Sequence, residues 1–223
     1  GLYYITKLRK GAKGEGLTFY GPEEALIAYN EGKVDIHAII NVVAKDLDEN
    51  GNIVDKMIKE TSVGRVIVNE IVPAEVGYLN TIISKKSLRD IISDVIKAVG
   101  VARACEFLDG IKNLGYKMAF EGGLSFNLGD IIIPKEKEEL VKRGHEEIEQ
   151  IMMNYNMGFI TDNERYNQVI DTWTHVNSDL SDILYKTIKN DDQGFNSVFM
   201  MLDSGARGSK EQIRQLSGMR GLM

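Results

Sequence analysis

Residues 161–180 carry the sequence TDNERYNQVIDTWTHVNSDL, which has the features of the start of a long helix. Thr161 is followed three residues later by Glu164, the spacing of a capping box in which each side chain satisfies a backbone amide at the helix start. The pattern predicts a helix that runs from this cap to about Lys189. Its apolar residues recur at helical spacing along one face: Tyr166, Val169, Ile170, Trp173, Val176 and Leu180.

A second helix is predicted just before this one, over Lys135 to Asn154. The stretch is dense in Glu and Lys, and Met157-Gly158 interrupts it before the cap at Thr161. Two long helices joined by so short a turn predict an antiparallel helical hairpin over residues 135–192. The earlier helix has a narrow apolar side: Leu140, Val141, Ile148, Ile151 and Met152.

Acidic residues are concentrated in this hairpin. Residues 135–192 contain seven Lys or Arg against thirteen Asp or Glu, whereas residues 193–223 contain four basic and two acidic residues. A protein that grips nucleic acid by its phosphates usually has a basic surface. With a net charge of −6, the chain is therefore predicted to bind DNA or RNA poorly on its own. The acidic face is either an interaction surface or simply a solvated helix face.

The residues before the hairpin predict a small β-containing part over residues 1–86. Val34 to Ala44 (VDIHAIINVVA) is rich in β-branched residues and predicts a strand, and Ile53 to Thr61 predicts its partner. The segment Asp46 to Gly51 is polar, and the pair Asn50-Gly51 is typical of a hairpin turn. The pattern favours two antiparallel strands.

Residues 87–134 are predicted to form a helical connector. Apolar residues recur at helical spacing from Ser87 to about Glu121, and Gly122-Gly123 ends the pattern. Ile131 to Pro134 is predicted to be a short buried segment. The fold class is therefore α+β, with a small β-containing N-terminal part followed by a mainly helical region that includes the long antiparallel hairpin.

Composition excludes several classes of protein. No apolar stretch approaches the roughly 20 residues that a membrane-spanning helix needs, so no membrane partner is predicted. The single cysteine, Cys105, excludes an internal disulfide and a zinc site built from several thiolates. The chain starts without methionine and stops at Gly221-Leu222-Met223, so we expect it to be a piece of a longer protein.

The segment Ser204-Gly-Ala-Arg-Gly-Ser209 has a pattern suited to binding an anion. Its glycines place Arg207 on a permissive backbone, and a guanidinium binds phosphate oxygens through two parallel hydrogen bonds. Ser209, or Ser204, is suited to cap the helix that follows. The alternative is a glycine-broken turn with an exposed arginine. No spacing marks a nucleophile paired with a base, so we assign no catalytic residue, and no carboxylate cluster for a metal stands out.

Several segments resemble, in order, the beta-prime subunit of bacterial RNA polymerase, and the resemblance covers essentially the whole chain. The last thirty residues are the most specific, since they are similar to the stretch just before the bridge helix. The matching segments are Gly1-Leu-Tyr-Tyr-Ile-Thr-Lys7, Thr61-Ser-Val-Gly-Arg65, Gly158-Phe-Ile-Thr161, Glu164-Arg-Tyr-Asn-Gln-Val-Ile-Asp-Thr-Trp173, Phe195-Asn-Ser-Val-Phe-Met-Met-Leu-Asp-Ser-Gly-Ala-Arg-Gly-Ser209 and Gln212-Ile-Arg-Gln-Leu-Ser-Gly-Met-Arg-Gly-Leu-Met223.

The resemblance implies templated transfer of a nucleotide from a nucleoside triphosphate to the RNA 3′ end, assisted by two magnesium ions. It implies that the magnesium and zinc ligands of the whole enzyme lie outside this chain, which is expected to bind neither metal. It implies a pore-like part over 1–86 and funnel rim helices over 135–192, which line the secondary channel for nucleotide entry. It also implies that residues 193–223 form a substrate-proximal loop and helix before the bridge helix.

The resemblance also implies site residues near the substrate. Arg207 falls on the position expected to touch the incoming triphosphate. Met201, Ser209, Arg214 and Gln215 fall close to the substrate region. The implied partners are the beta, alpha and omega subunits and nucleoside triphosphates, with DNA and RNA reached only through the whole enzyme, in the cytoplasm.

The rim helices are a regulatory surface in this family. Glu164, Asn167 and Asp171 match positions near the contact with transcript-cleavage and stringent-response factors, which insert a coiled coil into the channel. Gln168 stands where commonly studied members carry a lysine, so we assign no guanosine tetraphosphate site. Two other functions stay open: a helical module that docks coiled-coil regulators without catalysis, and a small phosphate-ester enzyme that uses Arg207.

Overall fold

The computed structural model of the chain describes residues 1–49 and 51–220. It contains a small sheet followed by long helices, so the α+β prediction is confirmed. The chain divides into two compact units, one from Gly1 to Leu124 and the other from Ser125 onwards. Each has its own buried apolar core.

The sheet lies in the first unit and has strands β1 (Thr18–Phe19), β2 (Ile40–Leu47) and β3 (Ile53–Thr61). β1 pairs in parallel with β2, and β2 pairs antiparallel with β3, in the order β1-β2-β3. β3 occupies the residues predicted for it. The predicted antiparallel pair is therefore confirmed.

The predicted strand Val34–Ala44 is partly wrong, because β2 begins only at Ile40. The residues before it turn, and the amide of Ala38 donates to the carbonyl oxygen of Asp35 at 3.1 Å. Val34 is buried, with 3% of its surface exposed. The β-branched residues at the start of this run therefore reflect burial in a turn, which sequence periodicity does not separate from an extended strand.

The turn between β2 and β3 is polar, as predicted. The amide of Asn52 donates to the carboxylate of Asp48 at 2.8 Å, and Gly51 has a φ of 81°. Asn50, the other half of the predicted turn pair, lies outside the described residues. β2 extends to Leu47, so it takes in the first residues of the predicted turn.

The helices of the first unit include one long element that covers the residues, from Ser87 to about Glu121, predicted to be helical. Gly100 interrupts it with φ 77° and ψ 173°, which divides it into two helical segments. Gly122 caps its C-terminal end, as the glycine pair predicted. These helices are α1 (Leu2–Thr6), α2 (Pro22–Asn30), α3 (Val63–Asn69) and α4 (Lys85–Glu121).

Helix α3 approaches α1 very closely at Gly64. A Cβ atom on Gly64 would lie 1.8 Å from the carbonyl oxygen of Ile5. The neighbouring Arg65 is buried, and its Nε donates to the carbonyl oxygen of Thr6 at 2.9 Å. Its Nη1 donates to the carbonyl oxygen and the side-chain oxygen of Asn80 at 3.0 and 2.8 Å. These contacts fix α3 to α1 and to the loop that precedes α4.

The second unit contains the predicted antiparallel hairpin. Near the connecting turn, the guanidinium of Arg165 lies 5.2 Å from the ring centroid of Tyr155. Further from the turn, the rings of His145 and Trp173 are 5.1 Å apart. The later helix meets progressively earlier residues of its partner, which confirms the antiparallel arrangement. The helices are α5 (Lys137–Asn156), α6 (Asp162–Asn190), α7 (Ser197–Asp203) and α8 (Lys210–Ser217).

The prediction that Ile131–Pro134 is buried is wrong for part of the segment. Ile131 packs against the core formed by α6, α7 and α8, whereas Ile133 has 60% of its surface exposed. The core covers only one side of this segment. An apolar run by itself does not show which of its side chains meet a packing partner.

Candidate functional site

The segment predicted to bind an anion forms a tight turn between α7 and α8. The hydroxyl of Ser204 donates to the carbonyl oxygen of Met201 at 3.1 Å and accepts the amide of Ala206 at 3.3 Å. The amide of Arg207 lies 3.5 Å from the same carbonyl oxygen of Met201. The chain therefore folds back over the last turn of α7 before α8 begins.

Arg207 lies between two glycines with left-handed backbone. Gly205 and Gly208 have φ values of 73° and 85°, which glycine adopts without strain. Arg207 is exposed, and its guanidinium makes no ion pair or hydrogen bond with any residue in 1–49 or 51–220. Met201 lies beside the turn, since a Cβ on Gly208 would be 3.9 Å from its Cε. The turn presents a cation that is open to an external anion.

Ser209 caps α8, as predicted. Its hydroxyl accepts the amide of Gln212 at 3.3 Å, and the side chain of Gln212 accepts the amide of Ser209 at 3.0 Å. The other two predicted substrate-proximal residues share one acidic partner. Arg214 forms an ion pair with Glu211, and the amide group of Gln215 donates to Glu211 at 3.2 Å. Arg214 is thus neutralised within its own helix, whereas Arg207 has no ionic partner among residues 1–49 and 51–220.

Tyr185, which the sequence did not mark, lies beside this turn. The ring of Tyr185, on α6, lies 4.1 Å from the ammonium of Lys210 and packs 5.9 Å from the ring of Phe199. Burial and the nearby carboxylate of Asp203 raise the pKa of Tyr185 above its usual value. No local pattern marks Tyr185, because all of its partners come later in the chain.

The predicted regulator-facing residues share one exposed face of α6. Glu164, Asn167 and Asp171 follow helical spacing and are all exposed. Asp171 also lines a groove of about 350 Å³ between α5 and α6. Charged and polar side chains beside it include Arg143, Glu147, Gln168, His175 and Asp179.

Glu164 also closes the predicted capping box. Its carboxylate accepts the amide of Thr161 at 2.7 Å and the Thr161 hydroxyl at 2.9 Å, and that hydroxyl oxygen lies 3.4 Å from the amide of Glu164. The bonds from Thr161 favour the charged form and lower the pKa of the Glu164 carboxyl below its usual value. The capping box is confirmed, so Glu164, one of the three residues predicted to face regulators, stabilises the start of α6.

A Glu164→Gln substitution is expected to weaken the acid sensitivity of the hairpin. Because the pKa is lower in the folded chain, the carboxylate contributes stability above its usual pKa of 4.5. That contribution is lost as the pH falls through the folded value. The urea midpoint, followed by Trp173 fluorescence between about pH 6 and pH 3, should fall less steeply in the variant. Glu149→Gln, on an exposed position of α5, is the matched control, and equal slopes for both variants would contradict the prediction.

Within residues 1–49 and 51–220, no group of three or more His, Cys, Asp or Glu side chains is arranged to hold a metal ion. Cys105 is exposed. None of the helices in the described part of the chain is long and apolar enough to cross a membrane.

Comparison with known proteins assigns most of the chain to two neighbouring domains of one family. The family model described as RNA polymerase Rpb1, domain 3, matches residues 1–131. The model described as RNA polymerase Rpb1, domain 4, matches residues 160–223. The first match alone covers more than half of the chain and includes the whole β-containing part.

Individual relatives agree with these matches. The beta-prime subunit of the DNA-directed RNA polymerase of Phocaeicola vulgatus is 95% identical over 223 residues, and that of Bacteroides fragilis strain YCH46 is 86% identical over 223 residues. The Flavobacterium johnsoniae subunit is 54% identical over 228 residues. Each match covers the whole of this chain, which spans about 16% of the length of each relative. The resemblance seen in the sequence is thereby confirmed, and the chain belongs to the RNA polymerase beta-prime (Rpb1) family.

Proposed function

We propose that this chain is the part of a DNA-directed RNA polymerase beta-prime subunit that lines the secondary channel and contributes to nucleoside triphosphate binding. Family membership supports the first half of the proposal. The second half, nucleoside triphosphate binding, is supported by Arg207, whose exposed guanidinium has no partner among residues 1–49 and 51–220. Matches along the whole chain favour this function over the small phosphate-ester enzyme.

The four segments then have separate roles in the whole enzyme. Residues 1–86 form a pore-like part, residues 87–134 connect it to the rim helices of 135–192, and residues 193–223 approach the substrate. The proposed partners are the beta, alpha and omega subunits, the DNA and the RNA. The proposed location is the cytoplasm. Magnesium and zinc are held by ligands outside this chain.

Arg207 acts on the substrate and not on the bonds that react. Its planar guanidinium donates two parallel hydrogen bonds to phosphate oxygens, and such bonds to charged groups are short and strong. Holding the triphosphate in one orientation brings the reacting phosphorus to the RNA end without a new catalytic group. The chain thus contributes binding and orientation, while nucleotidyl transfer takes place on other parts of the enzyme.

Photolabelling tests this placement directly. In the whole polymerase paused on a DNA–RNA template, an ATP analogue with a photoreactive group on its γ-phosphate is expected to label the peptide 195–216. Unmodified nucleoside triphosphate should compete with the label, and a photoreactive AMP should not label the peptide. Labelling confined to peptides outside residues 193–223 would contradict the proposal.

The rim helices support a second role, the docking of coiled-coil regulators of the transcript-cleavage and stringent-response types. The groove between α5 and α6 offers a docking surface for a coiled coil, and its lining includes the acidic side chains of Glu147, Asp171 and Asp179. Because the rim is acidic, it should repel triphosphates, so its charge does not serve substrate binding. We propose instead that the acidic charge attracts the basic faces of regulators, because complementary charge speeds and orients association.

Neutralising the exposed acids of α5 should therefore weaken regulator binding. Substituting Glu146, Glu147 and Glu149 together with Gln is expected to lower the affinity of the whole enzyme for a coiled-coil factor by about threefold to thirtyfold at low salt. The difference should shrink as salt is raised, because exposed charges are screened. The matched control is the triple substitution of Asp90, Asp94 and Asp109 on α4 with Asn. Unchanged affinity at low salt would count against the regulator role.

A further inference from the structure

A single aromatic side chain contacts both flanks of the turn that carries Arg207. On the α7 side, the ring of Tyr185 packs against the ring of Phe199 with centroids 5.9 Å apart, and burial and the nearby carboxylate of Asp203, the last residue of that helix, raise the pKa of the phenol. On the α8 side, the Tyr185 ring lies 4.1 Å from the ammonium of Lys210, the first residue of that helix. Tyr185 itself projects from α6, so the rim hairpin reaches the turn through this side chain.

Within the turn, the backbone of Arg207 itself is held only weakly. The amide of Arg207 is 3.5 Å from the carbonyl oxygen of Met201, at the outer limit of a hydrogen bond. Gly205 and Gly208 adopt left-handed backbone, and glycine gives the chain the greatest conformational freedom. A guanidinium on so permissive a turn binds a triphosphate well only if the two ends of the turn are fixed.

We propose that Tyr185 is a positioning residue for Arg207, which fixes both ends of the turn and thereby sets the orientation of the guanidinium toward the triphosphate. Tyr185 does not touch the nucleotide. Its ring is half-buried against Phe199, with ring centroids 5.9 Å apart, so it is held rigidly by α7 as well as by its own helix. The inference rests on the proposed contact between Arg207 and the triphosphate.

The packing around Tyr185 leaves little room for another arrangement. The cavity that it lines with Leu184, Phe199 and Ile213 has a volume of only about 10 Å³, which is about the space of one water molecule. Lys210 is exposed apart from this contact, and a cation over an aromatic face gains energy that depends on its position above the ring. Loss of the ring therefore removes the contact that positions the side chain of Lys210, three positions after Arg207.

A double-mutant cycle in the whole polymerase tests the inference. Tyr185→Leu is expected to raise the apparent KM for nucleoside triphosphates by about threefold to tenfold, with little change in kcat. In an enzyme that already carries Arg207→Ala, the same substitution should have no further effect, because the residue through which it acts is missing. Tyr166→Leu replaces an exposed tyrosine on the same helix and is the matched control, with no change expected in either enzyme.

Lys210→Gln is the second variant, and it protects the test against a folding defect, since Lys210 lies on the surface. It should raise the apparent KM in the same direction as Tyr185→Leu, and it should add little when the two are combined. Tyr185→Phe keeps the ring and the contact with Lys210 and loses only the hydroxyl near Asp203, so its effect should be smaller than that of Tyr185→Leu.

The outcomes separate this inference from the proposed function. If Arg207→Ala raises the KM and Tyr185→Leu adds its full effect on top, Tyr185 acts only on general stability and the inference is overturned. If Lys210→Gln leaves the KM unchanged, the anchoring of α8 is likewise overturned. If Arg207→Ala itself leaves the KM unchanged, the proposed function fails first, and the inference fails with it.

Discussion

In a whole polymerase that carries Arg207→Ala, the apparent KM for every nucleoside triphosphate is expected to rise by about tenfold to hundredfold. The alanine removes the charge-assisted hydrogen bonds to the triphosphate, and the expected rise corresponds to a loss of about 1.4–2.7 kcal/mol in all, which is the worth of about one fully formed bond of this kind. All four nucleotides should be affected equally, because they share the triphosphate and differ only in the base. Steady-state elongation on four templates, each limited by one nucleotide, measures the effect.

Two further substitutions show which property of Arg207 matters. Arg207→Lys keeps the positive charge and loses the planar fork, so its KM should lie between those of the wild-type enzyme and the alanine variant. Arg103→Ala removes one positive charge from the first unit, where Arg103 pairs with Glu75, and should leave the KM unchanged. Normal nucleotide affinity and elongation rate in the Arg207→Ala enzyme would remove the basis of the proposed triphosphate contact.

Helix caps could be predicted from the sequence because they depend on residues only a few positions apart. The Thr161–Glu164 box and the cap at Ser209 both form as expected. The break at Gly122 is equally local. The segment around Arg207 belongs to the same class, since glycine spacing alone indicates a permissive turn that presents an arginine.

The features that the sequence did not reveal are tertiary. The start of the predicted strand Val34–Ala44 is a turn whose apolar side chains are buried by distant residues, and a β-branched pattern does not distinguish the two cases. Tyr185 carries no distinguishing pattern in the sequence, because Asp203 and Lys210 are close to it only in the folded chain. Arg65 looks like an ordinary surface arginine, yet it is buried against backbone carbonyl groups.

The close approach of α3 to α1 explains the largest stability effect expected in the chain, that of Gly64→Ala. Alanine normally stabilises a helix by about 1 kcal/mol relative to glycine. Here its Cβ would lie 1.8 Å from the carbonyl oxygen of Ile5 and 2.7 Å from the carbonyl carbon. Both are backbone atoms of α1, so no side-chain rotation relieves the overlap. The substitution is expected to destabilise the first unit by at least about 3 kcal/mol.

The same substitution at Gly115 is the matched control. Gly115 also lies inside a helix of the first unit, but a Cβ there would meet only the Cγ of Leu2, at 3.7 Å, an ordinary packing distance. Gly115→Ala should therefore be neutral or stabilising by up to about 1 kcal/mol. Opposite signs at the two sites would show that the closeness of α3 and α1, and not the loss of a glycine, governs the result.

Hydrogen exchange read peptide by peptide measures both variants. In Gly64→Ala, amides of α1 and α3 should lose protection, because separating the two helices also breaks the bonds from Arg65 to Thr6 and Asn80. Trp173, the single tryptophan, lies in the second unit, so its fluorescence supplies an internal reference that should change much less. Full protection of α1 and α3 in the Gly64→Ala chain would mean that the two helices separate without cost, and the close contact at Gly64 would then not hold this unit together.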